Sequence, residues 1–136
     1  MRNFQTLETV TVDKQTGIIH FATQNASPMN PRLAMRREGD YVPTSVSYGP
    51  IEISLRLRHE RMIWILTRLQ PVAGLQTSRQ VGTGQAYLAV GMTPEGELVA
   101  RPTLEADATG RIVFNLLLTP ECCKALFDWL EIEPLS

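Results

Sequence analysis

At 136 residues, 43% hydrophobic and 20% charged, the chain has the make-up of one globular domain that can bury a core without disulfides or metals, not of a disordered segment. No apolar run exceeds five residues (62–66 is one), too short to cross a bilayer. The opening Met1-Arg2-Asn3-Phe4-Gln5-Thr6 lacks the apolar stretch of a signal peptide, so the expected location is cytoplasmic, with no membrane partner.

The net charge of −1 hides an asymmetry. Residues 1–80 hold ten Lys/Arg against six Asp/Glu, and residues 81–136 hold three against eight. Folding can intermix these charges again. If it does not, the protein is dipolar, and can pair with itself or show opposite faces to different partners. Eleven of the thirteen basic residues are Arg, whose planar fork grips carboxylates and phosphates bidentately.

Residues 6–12 and 17–23 alternate in polarity around Asp13-Lys14-Gln15-Thr16-Gly17, which predicts a first β-hairpin. Residues 24–50 carry Pro28, Pro31, Pro43 and Pro50 and no sustained period. They read as a long loop, with at most a helical turn near residues 32–37, and a loop of this length in a compact domain is usually functional. From residue 51 the alternation is clean: Ile51, Ile53, Leu55 and Leu57 face one way, Glu52, Ser54, Arg56 and Arg58 the other. After a reversal at residues 58–61, residues 62–69 read as its partner strand, apolar on both faces. The rival reading is a helix over 60–70, since so short an apolar run has no decisive period.

A loop through Pro71, Gly74 and Ser78 leads to strands over 85–92 and 97–104, joined by the turn Thr93-Pro94-Glu95-Gly96. Asp107-Ala108-Thr109-Gly110 then reverses the chain into a strand over 112–118. Thr119-Pro120-Glu121 reads as cap, first helical residue and dipole partner of a helix running to about residue 132, before Pro134. Its polar residues Glu121, Lys124, Asp128 and Glu131 form one narrow stripe. The rest is apolar, so the helix is expected to be covered on more than one side.

Motifs with a known mechanism are missing. His20, among apolar neighbours, reads as packed and His59, in a charged turn, as solvated. Neither has metal-ligand spacing, so no metal or cofactor is expected. Cys122 and Cys123 start the last helix, where the dipole can favour a thiolate, but buried small hydrophobes explain them better. Gly82-Thr83-Gly84 fits a bend into the next strand better than a phosphate loop. Asn25-Ala26-Ser27 matches a glycosylation acceptor that a cytosolic protein would not use.

The expected fold is mainly β (α+β): an antiparallel β-sandwich or partly open β-barrel of about seven strands, a single domain over 1–136, with a C-terminal α-helix across one opening or face. The expected function is that of a non-enzymatic accessory or adaptor protein that binds another protein and self-associates as a homo-oligomer. Arg32, Arg36, Arg37, Tyr41 and Tyr48 would form its polar recognition surface, and Phe127, Trp129 and Leu130 its apolar anchor. The alternative is an OB-like single-stranded nucleic-acid-binding protein that uses Arg56, Arg58 and Arg61 on a sheet face, with the loop tyrosines. A barrel holding a small apolar ligand, or a thiol enzyme, has the least support.

Overall fold

Alternating apolar residues carry most of the chain into two sheets that face each other across one core. The computed structural model describes residues 4–24, 29–70, 79–83, 85–106 and 110–131. Strands β2 (Thr9–Val12), β3 (Ile19–Ala22), β4 (Arg32–Met35), β5 (Tyr41–Tyr48) and β6 (Ile51–Arg58) form a five-stranded antiparallel meander in chain order. The second sheet has β1 (Gln5–Leu7), β11 (Leu116–Leu118), β9 (Leu98–Ala106), β8 (Ala86–Met92) and β7 (Arg79–Gly82) in that spatial order, with β10 (Gly110–Val113) also paired to β9. One hydrophobic cluster draws on both sheets and on helices α1 (His59–Leu66) and α2 (Pro120–Trp129). The mainly β sandwich or open barrel with a C-terminal helix is thus the fold, with eleven strands among the described residues where about seven were expected.

The first hairpin forms as expected, Val10 opposite Phe21 and Val12 opposite Ile19. The Asp13 carboxylate accepts from the backbone N–H of Gln15 (2.8 Å) and Thr16 (3.4 Å) and holds the turn. Residues 6–12, however, are not one strand. Leu7 is fully buried and Val10 packs on the same core although their offset of three positions would put them on opposite faces of one strand, so the chain turns a corner at Glu8. There it passes from the six-stranded sheet, where β1 runs parallel to β11, into the five-stranded one. That parallel pair departs from an all-antiparallel arrangement.

The segment 24–50 is where the fold differs most from its sequence reading. Residues 32–35 are strand, not a helical turn, and β5 pairs with β6 over eight residues, Tyr41 opposite Arg58 through Tyr48 opposite Ile51. Val42, Thr44 and Val46 are buried, while Pro43, Ser45 and Ser47 face out. The buried Thr44 hydroxyl donates to the Val42 carbonyl (3.1 Å). Pro43 sits inside this strand because its missing N–H lies on the β4 side, opposite Arg36, one residue past the end of β4.

The partner of β6 is β5, and residues 62–69 do not extend its sheet. Met62, Ile65 and Leu66 are buried at spacings of three and one, which is a helical face, and α1 forms there. Further on, β10 and β11 keep a single register against β9, Val113 opposite Thr103 and Leu116 opposite Ala100. The expected strand over 112–118 is interrupted only opposite Pro102, which has no N–H to give, while Phe114 N–H still reaches the Pro102 carbonyl (3.1 Å). The β8–β9 turn forms as predicted, closed by Gly96 N–H to the Thr93 carbonyl (3.0 Å).

Helix α2 starts as its residues dictate. Thr119 caps it, accepting from Cys122 N–H (3.2 Å), and Pro120 opens it. It ends earlier than expected: Leu130 is the C-cap and Glu131 takes a left-handed conformation (φ 61°). The helix runs from the β8–β9 turn, where Pro120 lies beside Gly96, to the β2–β3 turn, where Trp129 Nε1 donates to the Gly17 carbonyl (2.8 Å). It therefore spans the gap between the sheets at one end, and Cys122, Cys123, Leu126 and Leu130 are buried beneath it. The loop 71–78, the turn at 107–109, the Asn25-Ala26-Ser27 motif, Gly84 and residues 132–134 lie outside the described residues.

Two substitutions check this packing. Trp129→Ala is expected to cost about 2–4 kcal/mol, read as a lower midpoint in denaturant, without changing the mass of the native species. Gly82 has φ 127°, and a Cβ there would meet the Ala86 carbonyl oxygen at 2.5 Å. Gly82→Ala is therefore expected to cost about 1–3 kcal/mol, whereas an unchanged midpoint would contradict the described turn.

Candidate functional site

The meander puts alternate residues of β4, β5 and β6 on one outer face, and Arg32, Arg36, Arg56 and Arg58 lie on it. Arg36 extends β4, Arg37 opens the β4–β5 turn, and Tyr41 stands opposite Arg58 at the same end of the sheet. Arg56 lies over the Tyr41 ring at 3.9 Å, with Arg58 at 5.7 Å. Helix α1 continues the surface: Arg61 and Arg68 lie 5.0 and 4.2 Å from the ring centre of Trp64, which is 41% exposed. Such stacks hold a guanidinium in place while leaving it hydrated and charged.

Few carboxylates compensate this charge. Arg36 pairs with Glu38 at 2.9 Å, both exposed, a contact of small energetic worth. Arg56, Arg58, Arg61 and Arg68 meet no carboxylate among the described residues. The Arg37 Nε donates to the Gly39 carbonyl (2.8 Å), which orients its side chain within the turn. Next to this corner the outer face is low. Ile18, Ala34, Pro43, Ser45 and Ser54 line a shallow depression of about 330 Å³, with Arg36 and Glu52 among its walls. Ser45 donates to Glu52 (3.1 Å).

The structure regroups the residues singled out from the sequence. Arg36, Arg37 and Tyr41 join Arg56 and Arg58 at one end of the sheet, merging most of the two candidate sets, while Arg61 lies on α1 against Trp64. Arg32 is exposed on the same face but at the other end of β4, beside Ser47. Tyr48 belongs with the inward residues of β5 and stacks on Phe114, ring centres 5.9 Å apart. Leu130 is 2% exposed, and Phe127 and Trp129 pack partly buried against the core. The apolar surface of α2 is thus engaged within the chain. Trp64 was missed because residues 62–69 were read as a strand, a reading that set Arg68 at the far end from Arg61; helical spacing from Arg61 to Arg68 is the signal that brings both to Trp64.

The thiols and imidazoles behave differently. Both cysteines are buried and free, and burial raises their pKa, that of Cys123 to about 11. The histidines exchange the roles expected of them. His20 is exposed on β3, whereas His59 is partly buried where β6 becomes α1. Its backbone N–H donates to the Asp40 carbonyl (2.8 Å), its ring lies near the Leu130 backbone, and its buried Nε2 has no partner. Burial first, and the nearby Arg37 second, hold its pKa below the ordinary 6.5, against smaller opposing effects of Glu131 and Asp40.

Among the described residues, no three or more His, Cys, Asp or Glu side chains converge as a metal site, and no helix is long and apolar enough to cross a membrane. The chain matches no known protein family, no curated protein and no solved structure.

Two measurements follow. Because the folded pKa of His59 is depressed, the unfolded chain binds the extra proton, and stability is expected to fall as the pH drops below 6.5. The loss should level off below the depressed value, and His59→Gln should remove that part of the slope in denaturant titrations across this range. A cysteine-selective alkylating reagent at pH 8 should leave Cys122 and Cys123 unmodified in the native protein, since burial covers both thiols and raises their pKa, and the Cys123 thiol, with a pKa of about 11, is ionised in only about one molecule in a thousand. Rapid labelling would mean that the helix opens readily.

Proposed function

We propose that this is a cytosolic, non-enzymatic adaptor that holds another protein against the outer face of its five-stranded sheet. The observation that carries this reading is the low, small-residue depression walled by Arg36, with Arg56, laid on the Tyr41 ring, standing opposite its Pro43. Small side chains let another backbone approach the sheet closely, and Arg and aromatic residues at a rim are the usual anchors of protein contacts. The depression offers Arg36 and Glu52 together, which suits the mixed donors, acceptors and charges of a polypeptide. The adjoining arginines favour an acidic segment of it. Self-association belongs to the same reading. The layer built from residues 9–66 has two more basic than acidic residues and residues 81–136 have five fewer, which suits contact between unlike surfaces of two copies.

A second reading rests on the arginine–aromatic stacks themselves. Tyr41 and Trp64 with four arginines are the residue types that track a single-stranded nucleic acid.

Native mass spectrometry of the gently purified protein, with its ultraviolet absorbance ratio, tests the proposal. The wild type is expected to give a defined larger mass with protein-like absorbance. Arg36→Glu combined with Arg37→Glu is expected to give the monomer mass at an unchanged melting temperature. A complex that survives the double reversal would remove this surface from the interface. Heterogeneous mass with excess absorbance near the nucleic-acid maximum, and affinity falling steeply with salt, would replace the adaptor reading with the second one.

A further inference from the structure

The outer face of the six-stranded sheet carries a depression of different chemistry. Gln80 of β7, Tyr87 of β8, Arg101 and Thr103 of β9 and Arg111 of β10 line a cavity of about 220 Å³, with Ala89 and Val113 beside them. Strand register explains why they meet. Tyr87, Thr103 and Val113 stand side by side across β8, β9 and β10, and Gln80, Ala89 and Arg101 make the next row. Arg111 stands opposite Glu105, so the two arginines reach the cavity from opposite ends, four residues apart along β9.

The cavity is built rather than incidental. Ala89 and Thr103 point away from the core yet are only 5% and 3% exposed, so the floor is shielded from solvent. Arg101 Nε donates to Asn115 Oδ1 at 2.8 Å, which fixes the plane of its guanidinium. Arg111 makes only a loose contact with Glu105, 3.9 Å between exposed side chains, which a ligand can displace at small cost. Residues 81–136 contain two arginines and one lysine among eight carboxylates, and both arginines line this one cavity.

We propose that this depression binds a small oxyanion, the carboxylate or phosphate group of a compact molecule, between Arg101 and Arg111. Two guanidiniums offer several charge-assisted donors in planar forks, and Tyr87 and Gln80 add neutral ones. The volume is below that of pockets for drug-sized ligands, which limits the occupant to a few heavy atoms and leaves out a nucleotide. The site lies on the sheet opposite the adaptor surface, so the two proposals stand or fall separately.

The test is a titration of the intact protein with inorganic phosphate and, separately, with succinate at constant ionic strength, following the arginine Nε–Hε resonances by NMR. Saturable shifts are expected at Arg101 and Arg111 with at least one probe, and the tighter titration identifies the anion. Arg101→Gln is expected to weaken binding at least about tenfold, Asn115→Ala to weaken it less, and Arg56→Gln to leave it unchanged. Should Arg101→Gln not fold, the exposed Arg111→Gln carries the same expectation. Shifts that never saturate, that spread equally over Arg56 and Arg58, or that persist in both variants would overturn the site.

Discussion

Cys122, Cys123, Leu126 and Leu130 lie beneath a helix set between β11 of one sheet and β2 and β3 of the other, and this buried face holds the end of the sandwich closed. Each sheet is apolar on its inner side and needs a cover at its ends as well as its face. At one edge the chain supplies closure covalently, since β1 and β2 are consecutive and belong to different sheets. At the helical end it supplies α2, fixed by the Thr119 cap at its start and by the Trp129–Gly17 hydrogen bond at its finish. The start of α1 meets the end of α2 through His59 and Leu130, so the two helices share the task and the pH sensitivity of His59 reports on that junction.

This closure explains the charge distribution of the surface. Residues 9–66, which build β2–β6 and α1, hold seven Lys/Arg against five Asp/Glu, so this layer keeps part of the positive balance, while β1 and β7 carry the ends of residues 1–80 into the other sheet. The sequence alone left open whether folding would mix the charges; the fold mixes them in part. The arginines then fall on the outward positions of the sheet because the inward ones are taken by Leu33, Met35, Val42, Val46, Ile53, Leu55 and Leu57. Arginines collect on that face as a consequence of core patterning, and Tyr41 gives two of them a planar support, as Trp64 does for Arg61 and Arg68 on α1.

Much of the fold was legible in local pattern. The hairpin around Asp13–Gly17, the β8–β9 turn and the Thr119-Pro120-Glu121 helix start formed as their residues require, because each depends on interactions only a few residues apart. The illegible part was β5. Its alternation of Val42, Thr44 and Val46 with Pro43, Ser45 and Ser47 was hidden by a proline that only the register makes harmless. Once β5 was missed, β6 needed another partner, and residues 62–69 were drawn into that role against their own helical spacing. The surface was less legible still. Arg56 and Arg58 were evident from alternation, but their meeting with Tyr41 depends on a strand pairing, and that of Arg61 with Trp64 and Arg68 on a helix. Nothing in sequence spacing brings Arg101 and Arg111 together; that depends on the β9–β10 register.

The central claim is that the outer face of the five-stranded sheet is the working surface, and arginine-selective footprinting tests it most directly. The protein would be labelled with a dicarbonyl reagent as the isolated chain and in its purified native assembly, and each arginine quantified by mass spectrometry. Arg36, Arg37, Arg56 and Arg58 are expected to be protected in the assembly, with Arg111 labelled equally in both. Unchanged labelling of those four, or protection confined to the opposite sheet, would contradict the claim.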